Sequence, residues 1–134
     1  VSDRLITGGF WAAAAFNVVG ILSATDGLTN EVLFSVDPLF SRGGCLAVMV
    51  WGLLYAAQSR TWRVAPAITA VLAVEKAFYA GWWAVWLARH GSELPALTAA
   101  DPSVASFYRT YGAGDAAFAV FFAYAAWRAR GRSE

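Results

Sequence analysis

Glu75, Lys76 and Asp115 are the side chains best able to do chemistry in this sequence, because each interrupts a long apolar stretch near its centre. Held away from water, a carboxyl group can act as a general acid or base, and a lysine as a base or a Schiff-base amine. On insertion scales a charge placed at the centre of a bilayer costs about 2.5–3.5 kcal/mol unless it is paired or neutralised. Lys76 and Asp115 lie at the midpoints of their stretches, 64–88 and 103–127, and are expected to pair at equal depth. Glu75 must face elsewhere, since neighbouring helix residues diverge by about 100°. The alternative for the pair is structural: it only fixes helix register.

Polar and aromatic residues surround these three. Tyr79 follows Glu75 by four positions and Lys76 by three, so it can sit beside either. Tyr108, Tyr111, Asp115, Phe118 and Phe122 share one helical stripe, which sets two phenols beyond the carboxylate. Arg109 lies about 9 Å further out along the helix than Asp115, where it either closes a cavity or extends outward. Asn17 belongs to a seam of small residues, Ala13, Gly20 and Ala24, and is either an interhelical hydrogen bonder or a ligand contact. Trp82, Trp83 and Trp86 cannot all face the same lipid, so Trp82 or Trp83 is expected to face inward. Aromatic walls can hold a flat lipophilic molecule and stabilise positive charge. The expected site therefore has Asp115, Glu75 and Lys76 as catalytic groups. Asn17, Tyr79, Trp82, Trp83, Tyr108, Arg109, Tyr111 and Phe118 are its expected ligand-binding residues.

Other chemistries lack their residues. A single cysteine, Cys45, allows no intrachain disulfide, and a single histidine, His90, leaves no haem or zinc pattern. No nucleophile elbow, phosphate loop or paired metal ligands occur, so neither a metal nor a cofactor is expected. A net charge of +1 without a basic run argues against nucleic acid as a partner.

The elements that would position these residues follow from composition. Across 134 residues, 59% are apolar and only 14% charged, too apolar for one small aqueous core. The excess is expected to face lipid, in an all-α integral membrane bundle forming a single domain over 1–134. Spans are predicted at about 5–24, 38–59, 64–88 and 103–127. Asp37-Pro38 and Asp101-Pro102 read as helix starts, and Pro66 falls in a first turn. The first span reads as a resident helix and not a signal peptide, because its apolar stretch is long and only Arg4 precedes it. The short turn Ser59–Arg63 predicts an antiparallel hairpin. Glu31-Val32-Leu33-Phe34 is a candidate interfacial piece, and Arg89–Pro102 an irregular loop broken by Gly91 and Pro95.

Charge placement predicts orientation. Arg4, Arg60, Arg63, Arg128, Arg130 and Arg132 fall on the side of both termini, against Asp3 and Glu134. The opposite side carries Asp26, Glu31, Asp37, Glu93 and Asp101, against Arg42 and Arg89. By the positive-inside rule the four helices run up and down with both termini cytoplasmic, in a bacterial inner membrane. Trp62 and Trp127 fit an inner aromatic belt, and the Trp82–Trp86 cluster an outer one.

Four motifs carry a resemblance: Asp37-Pro38, Gly52-Leu53-Leu54-Tyr55, the mid-span Glu75-Lys76 and Gly114-Asp115. Together they resemble a loose group of small bacterial four-span membrane proteins, over most of the chain. That resemblance implies the same four-span fold and no particular activity. In size and in buried acids among aromatics the chain is also similar in architecture to four-helix sterol-isomerase-like membrane proteins.

These observations point first to a site for a lipophilic small molecule of the sterol, isoprenoid, quinone or carotenoid class, with acid–base isomerase-type chemistry within its reach. Membrane lipid would be the surrounding partner. Two other classes use the same residues. As proton- or ion-coupling groups they would serve transport, which in so short a chain requires a homo-oligomer. As ordering groups they would serve an accessory subunit of a larger membrane complex.

Overall fold

The computed structural model describes residues 1–131, and no strand occurs among them. The helices are α1 (Asp3–Ala24), α2 (Glu31–Val36), α3 (Arg42–Gln58), α4 (Pro66–His90), α5 (Leu94–Ala100) and α6 (Pro102–Arg130). Arg132 and Glu134, counted above toward the basic side, lie outside the described residues.

Side-chain caps set most of the starts. Ser2 accepts from the Leu5 N–H, and Asn30 from those of Val32 and Leu33 at the head of α2. Asp101 accepts from the Ser103 and Val104 N–H groups at 3.1 and 3.2 Å, with Pro102 opening α6 where its missing N–H is harmless. Asp37-Pro38 departs from the expected helix start. Asp37 caps a single 3₁₀ turn, Pro38–Phe40, and Ser41 then caps α3 through the Gly44 N–H at 3.1 Å. Two successive caps thus delay the second long helix to Arg42. The connection 89–102 corrects the expected loop: Gly91–Glu93 forms a 3₁₀ turn and α5 follows. Pro95 breaks nothing there, because it occupies the first turn of α5. Between α3 and α4, Gln58 donates to the Ala65 carbonyl and to Thr69 Oγ1, both at 2.9 Å.

α1 packs chiefly on α3, and α4 on α6, while α3 and α4 touch sparingly despite their short connection. Gly52 permits the first approach: a Cβ there would lie 2.9 Å from Val18 and 3.0 Å from Asn17. Gly112 permits the second, since a Cβ there would collide with the Trp83 indole. Two apolar clusters result. One joins Ile6 and Phe10 to Tyr55, Leu72 and Phe122; the other joins Ile21 and Val48 to Tyr79, Trp86, Tyr108 and Tyr111. Early α1 and α4 therefore meet late α3 and α6, and the reverse holds at the other end.

The outer faces are apolar along every long helix, with Trp11, Val50, Leu53, Val71, Val74 and Val120 more than half exposed. By length and composition, α1 is the single described helix apolar enough to cross a membrane, a test that a core helix or a leader segment also meets. Trp127 is exposed, as an aromatic belt requires. Trp62 and Trp86 are not: Trp62 is fully buried, with its indole N–H 3.4 Å from Thr7 Oγ1, and Trp86 is buried against Tyr108. Their rings fill the gap between helices at the two ends of the core, which corrects their assignment to lipid-facing belts.

Two predictions follow from this packing. Gly112→Ala should destabilise the fold by about 1–3 kcal/mol through overpacking, whereas Gly81→Ala, with nothing near its would-be Cβ, should be neutral or gain up to about 1 kcal/mol of helix propensity. Denaturation in mild detergent would decide, and equal effects would contradict the close α4–α6 contact. At the other end, the Asn30 amide, Ser103 and the Val104 N–H hold the Asp101 carboxylate below its ordinary range. Their stabilisation is complete above the usual carboxylate pKa and is lost as pH falls through Asp101's own lower value. Asn30→Ala should move that titration up, as read by carbon NMR of the Asp101 carboxyl.

Candidate functional site

The site lies between the two apolar clusters, where all four long helices contribute a polar side chain. Lys76 from α4 is 1% exposed, Asn17 from α1 2%, and Asp115 from α6 5%. The Lys76 ammonium donates to Asp115 Oδ1 and to Asn17 Oδ1, each at 2.6 Å. The expected pairing of Lys76 with Asp115 is thus present. Three rings complete its surroundings, with the Phe16 and Tyr55 centroids each 5.2 Å away and Phe118 at 6.0 Å.

A second branch passes through α3. Asn17 Nδ2 donates to the Val48 carbonyl at 2.9 Å and lies 3.4 Å from the Tyr55 hydroxyl. That hydroxyl in turn donates to Glu75 Oε2. Asp115, Lys76, Asn17, Tyr55 and Glu75 form one hydrogen-bonded chain crossing the core. Glu75 does turn away from the ion pair, as the helical angle requires, and it meets α3 there.

A cavity of about 140 Å³ adjoins this chain, lined by Asn17, Glu75, Lys76, Tyr79, Tyr111 and Asp115 together with Phe16, Gly20, Ile21, Phe40, Val48, Phe107 and Thr110. Phe16, Gly20 and Thr110 are exposed, so the cavity opens sideways between α1 and α6. Glu75 Oε1 and the Tyr111 hydroxyl are buried without a hydrogen-bond partner. A buried polar group left unsatisfied costs about 1–3 kcal/mol, and both residues line the cavity.

Several expected residues stand elsewhere. Tyr108 is buried behind the wall and donates to the Leu33 carbonyl at 3.0 Å. Trp83 does turn inward, but its indole N–H goes to the Tyr108 carbonyl at 3.0 Å and its ring covers Gly112. Trp82 is 44% exposed and donates to Asp37 Oδ2 at 2.8 Å, toward the end of the molecule. Arg109 is exposed and outside the cavity, because its position falls on the outer face of α6. Phe118 reaches Lys76 without lining the cavity. Among the described residues, no cluster of His, Cys, Asp and Glu is arranged to hold a metal ion.

Tyr55, Phe16 and Phe40 are the main residues not anticipated. Tyr55 carried a signal in the stretch Gly52-Leu53-Leu54-Tyr55, whereas Phe16 is one apolar residue among many in α1. Phe40 enters through the 3₁₀ turn that replaces the expected first turn of α3. No protein-family model matches the chain, and neither does any curated protein or solved structure.

The arrangement can hold the head of a small molecule between rings, beside one fixed ion pair and one further carboxyl. Its dependence on the pair is measurable. Asp115→Ala should cost about 3–5 kcal/mol by leaving a buried ammonium unbalanced, while Lys76→Met with Asp115→Leu should cost far less. Unfolding both variants in detergent tests this; a double variant as unstable as the single would mean that something other than the lost countercharge is responsible.

Proposed function

We propose that this chain is an integral membrane protein, an antiparallel four-helix bundle with cytoplasmic termini, which binds a lipophilic small molecule by its polar head. The observation that carries the reading is the sideways cavity: Glu75, Lys76 and Asp115 in its wall, aromatic rings around them, and an opening beside the exposed Phe16 and Gly20. A water-soluble ligand gains nothing from such an entrance. A molecule dissolved in the bilayer would meet it directly, with its tail left between α1 and α6.

The membrane setting has two supports. Apolar residues exposed along all four long helices amount to far more than the patches a soluble monomer leaves bare. The charged residues divide unevenly by end: Arg4, Arg60, Arg63, Arg128 and Arg130 against Asp3 at one, and Asp26, Glu31, Asp37, Glu93 and Asp101 against Arg42 and Arg89 at the other. Lipid around the middle and opposite signs at the two faces account for both.

Labelling and mass spectrometry test the two parts separately. In a Cys45→Ala background, a cysteine at Ser92 should react with impermeant maleimide in intact bacterial spheroplasts, and one at Thr61 only after lysis. Equal reactivity, or protein released by alkaline carbonate, would overturn the membrane reading. Native mass spectra from mild detergent should show a retained small molecule that Gly20→Phe, at the cavity entrance, displaces. Spectra free of any adduct, together with no thermal shift from sterols, isoprenoids or quinones, would overturn the ligand reading.

A further inference from the structure

Counted as formal charges, the residues of the cavity wall do not balance. Lys76 supplies one positive group against two carboxyls, Asp115 and Glu75, and no other charged residue lines the space. The Lys76 ammonium is committed to Asp115 and Asn17 at 2.6 Å and does not bond Glu75. Glu75 receives one hydrogen bond, from Tyr55, and its other oxygen has no partner although the residue is only 8% exposed. Five rings face the same space: Phe16, Phe40, Tyr79, Phe107 and Tyr111. Aromatic faces attract cations, the more so away from water.

We propose that the ligand is a lipophilic amine, whose monovalent ammonium head enters the cavity as the countercharge of Glu75. This rests on the membrane-ligand reading above and adds the charge class of the head. An ammonium head in the cavity can balance the Glu75 carboxyl that lines it, and the rings favour the same charge. An anion would meet two carboxyls with the one ammonium already engaged. Volume sets the size: a cavity of about 150 Å³ is known to admit a benzene-sized guest, so a head of that scale fits here while a long tail must remain outside.

The probes are decyldimethylamine, decanol and decyltributylammonium, titrated into the purified chain in maltoside detergent and followed by tryptophan fluorescence and calorimetry. The amine should bind about tenfold more tightly than the alcohol of equal tail, as a desolvated cation among rings predicts. The tributylammonium head should be excluded. Glu75→Gln, which keeps the acceptor for Tyr55, should abolish the preference for amine over alcohol while leaving alcohol affinity within about twofold. Tyr111→Phe should retain the preference. If alcohol binds as well as amine, or the bulky head binds equally, the charge assignment falls while the ligand reading stands. Should neither decyl probe bind wild-type protein, both fall. The wild-type comparison decides even if Glu75→Gln does not fold.

Discussion

A single buried ammonium organises this molecule. Lys76 is 1% exposed, and removing a lysine from water costs several kcal/mol unless its charge and its donors are both answered. Asp115 answers the charge from α6, Asn17 takes a second hydrogen bond from α1, and three rings approach the remaining sides. The pairs α1–α3 and α4–α6 touch each other much less than their members do. The polar chain through Lys76 is what joins them at mid-height. Uniformly apolar helices can slide and rotate against one another with little change in energy; a hydrogen-bonded ammonium cannot be satisfied in more than one register.

The same constraint explains why the cavity sits where it does. α1 and α6, joined at the centre through Asn17, Lys76 and Asp115, approach each other less than α4 and α6 do. Gly52 and Gly112 close the space within each pair, while Gly9 against Phe121 and Gly114 against Phe16 close α1 on α6 elsewhere, so the residual gap is local. The gap is bordered by Gly20 on one side and Thr110 on the other, neither large enough to fill it. Packing within the pairs and polar satisfaction between them are therefore competing demands, and the cavity is the volume that neither claims.

What could be read from the sequence divides along physical lines. The long helices were legible because apolar runs of bilayer length begin at Asp101-Pro102, an acidic cap, and at Pro66, a first-turn proline, both local signals. The Lys76–Asp115 pair was legible because equal depth and opposite charge suffice to name it. Tyr55 with Glu75 was not, because nothing in an all-round apolar α3 reveals which of its faces turns inward. The pairing of α1 with α3 and of α4 with α6 is hidden for the same reason, residing in the small residues Gly52 and Gly112 and not in any periodicity. That Trp82 or Trp83 faces inward could be expected from crowding alone, yet which of them does, and its target, the Tyr108 carbonyl, depends on how α4 and α6 cross.

The two carboxyls of the core have different standing, and the difference bears on function. Asp115 is bound to Lys76 and serves the fold: without it the bundle contains an unbalanced cation. Glu75 is anchored through one oxygen by Tyr55, while the other has no protein partner. A carboxyl retained only for helix packing would be expected to have both oxygens answered, since the unsatisfied one opposes folding. Tyr111 repeats the pattern from α6: its hydroxyl is buried and unpartnered, and the residue lines the same cavity. Both residues line one cavity from different helices, which is what the proposed ligand site would require. On that proposal, the polar chain from Asp115 through Lys76, Asn17 and Tyr55 holds Glu75 at the cavity, which would account for so many polar groups at the centre of the bundle.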